Sequence, residues 1–289
     1  MIYLHLSGGL GNQLFQYAFG RALADRTAEG LVLDATWYRR RQRNAAFRSY
    51  ELSHYPIRGN RAAGLAAMLC RLQMSRATRL FPALAPFAWL REPRIYRYSA
   101  PVKPAGDVYA LGNWQSYRYF EHMRKVLSVE LTPQTALSPA SLAMAAVIRA
   151  TNAVSLHVRR GDYVSIRATN NVHGACGARY YDRAISHVLE RVAAPHFFVF
   201  SDDPAWVEAN IQIPAPCTLV QHNGTDAAFQ DLQLMTLCRH HVTANSSFSW
   251  WGAWLRSAYP DGIVVCPAQW LVGVSTTGLD IAPHDWSIV

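Results

Sequence analysis

The sequence predicts an α/β protein of two domains, each built on a parallel sheet. Short apolar runs alternate with helical patterns, most regularly after residue 150, which is the order of a parallel sheet covered by helices on both faces. At the start of the chain a strand runs into a glycine loop and then a helix. Charge is divided as well. Residues 1–150 hold 20 Arg/Lys against 8 Asp/Glu, a net +12, and residues 151–289 hold 8 against 11, a net −3. Such an asymmetry supports two domains with different work, drawn here at 1–150 and 151–289. With 51% apolar and 12% aromatic content in 289 residues, both can bury a core.

Ile2–Leu6 alternates as a strand. Ser7-Gly8-Gly9-Leu10-Gly11-Asn12-Gln13 follows, then a helical run Leu14–Ala28. This layout points backbone N–H groups at an anion. Gly9-x-Gly11 begins a dinucleotide fingerprint, but its third glycine would fall at Leu14, so the fingerprint fails. Gly9, Gly11 and Gln13 remain candidates for ligand contact, with Asn12 offering a neutral amide beside them. The alternative is a loop that only turns the chain. Leu31–Asp34 reads as a second strand, followed by the basic cluster Trp37–Arg43. Ala62–Phe81 reads as a helix carrying Arg71, Arg76 and Arg79, either an ordinary surface helix or one that lies on an anionic bilayer. Prolines 82, 86, 93, 101 and 104 predict loops. Tyr109–Phe120 mixes aromatics with amides, as a sugar-binding cleft does and as a packed strand and turn also can. Thr132–Ala150 reads as the inter-domain connection.

In the second half, strands are expected at Ala153–Val158, Phe197–Phe200, Thr218–Val220, Val242–Ala244 and Ile263–Cys266. Helices are expected at Tyr180–Val192, Ala205–Ile211, Ala227–Arg239 and Ser247–Ala258. Ligands of such sheets bind beyond the carboxyl ends of the strands. Polar residues gather there: His157, Arg159 and Arg160; Ser201, Asp202 and Asp203; His222 and Asn223; Asn245, Ser246 and Ser247. The forked donors of adjacent arginines suit a diphosphate, and equally a structural Arg–Asp pair. Ser246 or Ser247 makes a good helix cap, worth about 1 kcal/mol, and capping leaves first-turn N–H groups for a phosphate. The three tryptophans of 250–254 belong to a core, unless one lines a sugar pocket. No Asp-x-Asp occurs in the chain, so no metal ligands are expected. A departing diphosphate would then be stabilised by arginine and a helix dipole in place of Mg²⁺.

Five scattered cysteines without a CxxC pair argue against a disulfide framework or zinc site and for a reducing compartment. The opening stretch is expected to be a strand and not a secretory leader, and no window approaches 18 uncharged apolar residues. The basic first half suits an anionic partner. A nucleic-acid module has no motif to support it. Docking on the inner leaflet of the plasma membrane has Arg39–Arg43 and the 62–81 helix.

Taken together, Gly8–Tyr17, Gln115–Phe120, His157–Tyr163, Phe200–Pro204 and Ala244–Leu255 resemble the motif set of the α-1,2-fucosyltransferases, glycosyltransferase family 11, in the right order along the chain. The resemblance implies a GT-B architecture, two Rossmann-like domains with a cleft between them, and GDP-β-L-fucose bound on the C-terminal side. It implies metal-independent, inverting transfer to the 2-hydroxyl of a galactose-terminated glycan, lipid-linked where it builds a surface polysaccharide such as an O-antigen. No cofactor is expected beyond the donor. In that pattern Arg159 holds the β-phosphate, with Arg160 and Asp202 beside it. His157 sits near the nucleoside, and Asp231 contacts guanine. Asn245, Ser246, Ser247 and Phe248 cradle phosphate and base, and Asn12 lies beside the transferred sugar. The general base is expected at Asp162, then His173, because no carboxylate lies between Tyr163 and Tyr181. Alternatives are another GDP-sugar glycosyltransferase, or a Rossmann reductase or epimerase acting on a GDP-sugar.

Overall fold

The computed structural model describes residues 1–39, 48–161, 164, 170–172, 174–256 and 261–289. The described chain forms two compact units, Met1–Thr132 and Pro133–Val289.

Unit 1 is built on β1 (Ile2–His5), β2 (Leu31–Asp34), β3 (Asn60–Arg61), β4 (Ala88–Arg91) and β5 (Val108–Leu111), in the order β3-β2-β1-β5-β4 with every pairing parallel. α1 (Leu10–Thr27) connects β1 to β2 and is buried on nearly every side. Its start is set by Gly9, and its end by Ala28 in the left-handed region. The expected helix 62–81 is two helices, α2 (Gly64–Gln73) and α3 (Arg76–Leu80). Ser75 caps α3 by accepting from the Thr78 N–H at 3.4 Å, which breaks the run. The proline-rich stretch expected as loop still supplies β4, an edge strand, where proline neighbours cost little. α4 (Arg124–Glu130) closes the unit.

Unit 2 begins earlier than the expected boundary at 150. α5 (Pro139–Arg149) is no linker: Ser138 caps it, and Ala145 and Ile148 pack into a core with Phe198, Phe200, Leu234 and Met235. The unit's sheet comprises β6 (Asn152–Val158), β7 (Pro195–Ser201), β8 (Cys217–Val220), β9 (His240–Val242), β10 (Val264–Cys266) and β13 (Ser287–Ile288). Its order is β8-β7-β6-β9-β10-β13, all parallel. A short hairpin, β11 (Gln269–Leu271) and β12 (Val274–Ser275), lies outside it. Besides α5, its described helices include α6 (Ala178–Leu189), α7 (Pro204–Asn210), α8 (Ala228–Leu237) and α9 (Ser247–Trp254). Side chains of β6 and β7 alternate between two cores. Val154, Leu156, Val158, Phe197 and Val199 pack with Tyr180, Ile185 and Val188 of α6. Ala153, Phe198 and Phe200 pack with α5 and α8. Burial on both faces explains why these strands are nearly continuous in apolar residues. Among the described residues no helix is long and apolar enough to cross a membrane.

Candidate active site

In unit 2 the strand order reverses at β6: β7 and β8 lie to one side, β9, β10 and β13 to the other. Open α/β sheets bind ligands at such a switch point, beyond the carboxyl ends of the two central strands. Here those ends are the residues after β6 and the turn from β9 into α9.

Arg159 Nη1 lies 2.7 Å from Asp202 Oδ2, and the Arg160 backbone N–H donates to Asp202 Oδ1 at 2.8 Å. One carboxylate thus ties two consecutive residues. Gly161 follows because a Cβ there would sit 2.6 Å from that same Oδ2. Arg160 Nε donates to Asp203 Oδ2 at 3.1 Å, and its guanidinium lies 4.1 Å from the Trp206 ring centroid. The Arg–Asp pairing expected of a strand end is therefore present at both arginines. Arg160 is committed on two sides, to a carboxylate and to an aromatic face, which makes it a structural residue first. Arg159 is the arginine better placed for chemistry.

His157 is 6% exposed, and its Nδ1 has no hydrogen-bond partner among the described residues. Burial pushes the imidazole down to about 4; Asp202 opposes the shift and Arg159 adds to it. The ring is therefore neutral at pH 7 and acts through hydrogen bonds. A buried, unsatisfied nitrogen costs about 1–3 kcal/mol and calls for a function. Its ring centroid is 5.7 Å from that of Phe248, which brings the end of β6 against the first turn of α9. The Tyr181 hydroxyl donates to the His157 carbonyl at 3.2 Å and fixes the strand from the other face.

Ser246 caps α9, accepting from the Phe248 N–H at 3.3 Å. Ser247 and Phe248 are half-buried at the surface of the turn. Asn245 is turned inward: its Nδ2 donates to the carbonyls of Gly174 at 3.0 Å and Trp270 at 3.3 Å. It braces the turn, so the expected cradle is reduced to the helix's amino end with Ser247 and Phe248. Trp250, Trp251 and Trp254 are all buried and packed on one another, which removes them from any sugar pocket.

Asp231, on α8, accepts from Asn223 Nδ2 at 2.7 Å. Asn223 Oδ1 in turn accepts from the Ser141 hydroxyl at 3.1 Å, and Ser141 lies 3.0 Å from His222 Nε2. The carboxylate fixes the direction of this chain, because the amide must turn its N–H to Asp231. Burial pushes Asp231 up to about 6, against the opposing effects of Asn223 and His222. Sequence inspection found His222 and Asn223 as strand-end residues but missed Ser141, which arrives from α5.

In unit 1 the order reverses between β1 and β5. Gln115 Nε2 donates to Asn12 Oδ1 at 2.9 Å there. Gly8 has φ +80°, and a Cβ on it would meet Asn12 Nδ2 at 2.6 Å, so only glycine fits. Gly9 is the α1 cap, its carbonyl accepting from the N–H groups of Asn12 and Gln13; Gly11 is buried in the first turn. Gln13 was expected at a ligand. It is fully buried instead, donating to the Gly8 and Ser49 carbonyls and accepting from Glu51 N–H. Gln16 and Tyr17 also point inward, to Ser7 and Glu130. Asn12 alone among Gly11–Tyr17 is only half-buried. Tyr109, Trp114, Tyr119 and Phe120 are core, with Trp114 stacked on Phe19 at 3.7 Å, and Tyr117 is half-buried. Asp162, Tyr163 and His173, the expected base region, and Arg40, Arg41 and Arg43 of the basic cluster lie outside the described residues.

Comparison with known proteins adds an independent line. Residues 89–277 match the model of glycosyl transferase family 11. The chain is 35% identical to an alpha-1,2-colitosyltransferase of Escherichia coli, over 99% of this chain and 98% of that protein. It is 27% identical to the O-antigen biosynthesis glycosyltransferase WbnK of Escherichia coli, over 94% and 95%. It is also 27% identical to a galactoside alpha-(1,2)-fucosyltransferase 1 of Saimiri boliviensis boliviensis, over 69% and 58%. Among solved structures, fucosyltransferase NodZ from Bradyrhizobium superposes with TM-score 0.53 at 12% identity, covering 91% of this chain and 94% of that one. Arabidopsis thaliana FUT1 in complex with GDP gives TM-score 0.52 at 11% identity, covering 92% and 70%. These structural likenesses bear on the fold, which is that of GT-B enzymes with Rossmann-like units.

Proposed function

The chain belongs to glycosyltransferase family 11, and from that premise we propose that it moves L-fucose from GDP-β-L-fucose to the 2-hydroxyl of a galactoside in a surface glycan, with inversion and without a metal ion. The observation that carries the proposal is the switch point of unit 2. Arg159, held at 2.7 Å by Asp202, and the α9 amino end beside His157 and Phe248 converge on one place. A guanidinium and a helix dipole are the groups that can neutralise a departing diphosphate. In this scheme Arg159 takes the β-phosphate and Ser247 with its neighbouring N–H groups takes the phosphate oxygens. Asp231 accepts from the N–H edge of guanine, which provides two adjacent donors to a carboxylate. His157 offers its neutral ring to the nucleoside. Asn12 of unit 1, steadied by Gln115, offers a neutral amide suited to sugar hydroxyls, and Asp162 or His173 takes the acceptor proton. Membership of the family removes the grounds for the reductase, epimerase and nucleic-acid readings.

The colitosyltransferase relative favours a second donor. Colitose is L-fucose without its 3-hydroxyl, so the two sugars are told apart only by what the site does with that group. A site that hydrogen-bonds a substrate hydroxyl rejects the analogue lacking it by about 10⁴-fold or more. GDP release should therefore be measured with GDP-fucose and GDP-colitose against β-galactosides in excess EDTA. Turnover with GDP-fucose in chelator is the expected result. Turnover with GDP-colitose alone would reassign the donor, and no turnover until manganese is added would remove the metal-free mechanism.

A further inference from the structure

We propose that residues 64–84 of unit 1 form a docking surface for an anionic lipid bilayer. The inference rests on the surface of that unit alone and is independent of the donor. α2 is apolar around most of its circumference. It buries Ala67, Cys70 and Gln73 against Phe87 and Tyr109. A second apolar stripe, Leu65, Met68 and Leu72, repeats at helical spacing and stays in solvent, 66%, 53% and 40% exposed. A helix apolar on so many sides is ordinarily covered. The apolar surface continues past α3, with Leu80 at 73%, Phe81 at 64% and Leu84 at 53% exposed. Six large apolar side chains within 21 residues exceed the scattered singles usual on a soluble surface.

Charge selects the occupant. Arg71, Arg76 and Arg79 are exposed among these apolar residues. Between Glu51 and Glu92 the sequence has no acidic residue and six arginines: Arg58, Arg61, Arg71, Arg76, Arg79 and Arg91. A self-complementary dimer through this face would set arginines of one copy against those of the other, at a Coulomb cost. Negatively charged headgroups accept the same arginines, and acyl chains accept leucine, methionine and phenylalanine at the depth an interfacial helix reaches. Break and cap suit the role too: Ser75 turns the chain between two short helices, so both present their apolar side chains without a span long enough to insert.

Flotation of the full chain with vesicles tests this. Vesicles of equal parts phosphatidylglycerol and phosphatidylcholine should carry the protein up, and phosphatidylcholine alone should not. Replacing Arg71, Arg76 and Arg79 with Gln should weaken recovery on the order of 100-fold in partition coefficient, about fivefold for each charge. Leu80→Ser with Phe81→Ser should abolish it while leaving activity on a soluble galactoside unchanged. Light scattering on the same samples covers the alternative occupant. Equal recovery of wild type and variants, recovery independent of phosphatidylglycerol, or a dimer dissolved by Phe81→Ser would each overturn the proposal.

Discussion

The two units solve one geometric problem with different chemistry. Each has a parallel sheet whose strand order reverses once, and each sets polar side chains at the reversal. In unit 2 the groups are ionic: Arg159 with Asp202, Arg160 with Asp203, and the amino end of α9. In unit 1 they are neutral: Asn12 and Gln115 hydrogen-bonded at 2.9 Å. Fixed charge is what a diphosphate requires, and neutral amides are what sugar hydroxyls require. The comparison teaches that the shared topology supplies a place, and the residues at the strand ends decide which part of a substrate it suits.

The largest effect expected is at the ionic end. Arg159→Ala should lose about 3 kcal/mol of transition-state stabilisation, roughly 100-fold in kcat/KM, and leave Asp202 as an unopposed negative charge. Arg159→Lys should recover only part, because the point charge lacks the fork. Steady-state kinetics decide this, and activity within tenfold of wild type would refute the role.

Asp231 sharpens the contrast because its burial costs stability that the proposed contact to guanine would offset. Its folded-state value, about 6, lies above the ordinary 3.8. The penalty is absent below about pH 4, grows as pH rises, and is complete above about pH 6, so stability is lost across that window. Asp231→Asn should therefore raise the melting temperature at pH 7, gaining up to about 3 kcal/mol. The same variant should raise KM for the GDP-sugar about 10- to 100-fold, as loss of hydrogen bonds to a charged group does. A melting temperature that falls would contradict the assignment of the burial cost. In wild type, kcat/KM should fall on the acid side near pH 6.

At the neutral end, Gln13 and Asn12 separate structure from function. Gln13→Ala leaves buried carbonyls and an N–H unsatisfied and should cost about 2 kcal/mol of stability, measured by denaturant unfolding. Activity per folded molecule should barely change. Asn12→Ala strips the acceptor from the buried Gln115 amide and should cost about 1 kcal/mol in unfolding, less than Gln13→Ala, while kcat falls about tenfold and KM for the donor stays nearly constant. Gln115→Ala, acting through Asn12, should be milder still, about threefold.

The alternation of strands and helices in unit 2 was plain in the sequence because doubly buried strands are apolar throughout. The strand-end clusters were legible for the same reason, since polar residues stand out where such runs stop. Which amide points outward was not legible. α1 is buried on nearly all sides, so it has no polar face to set a phase, and Gln13, Gln16 and Tyr17 carry polar groups inward to satisfy backbone partners. The Asn245 brace and the Ser141–Asn223–Asp231 chain depend on contacts across long sequence separation, which no local pattern encodes. The break between α2 and α3 had a local sign, Ser75 three residues before Thr78, that the apolar spacing overrode.

Calorimetric affinity for GDP against GMP, in chelator, with wild type and Arg159→Ala, probes the ionic end most directly. A guanidinium that holds the β-phosphate makes wild type prefer GDP by about 100-fold and makes the variant nearly indifferent. The same preference in both proteins would place the β-phosphate elsewhere and contradict the account.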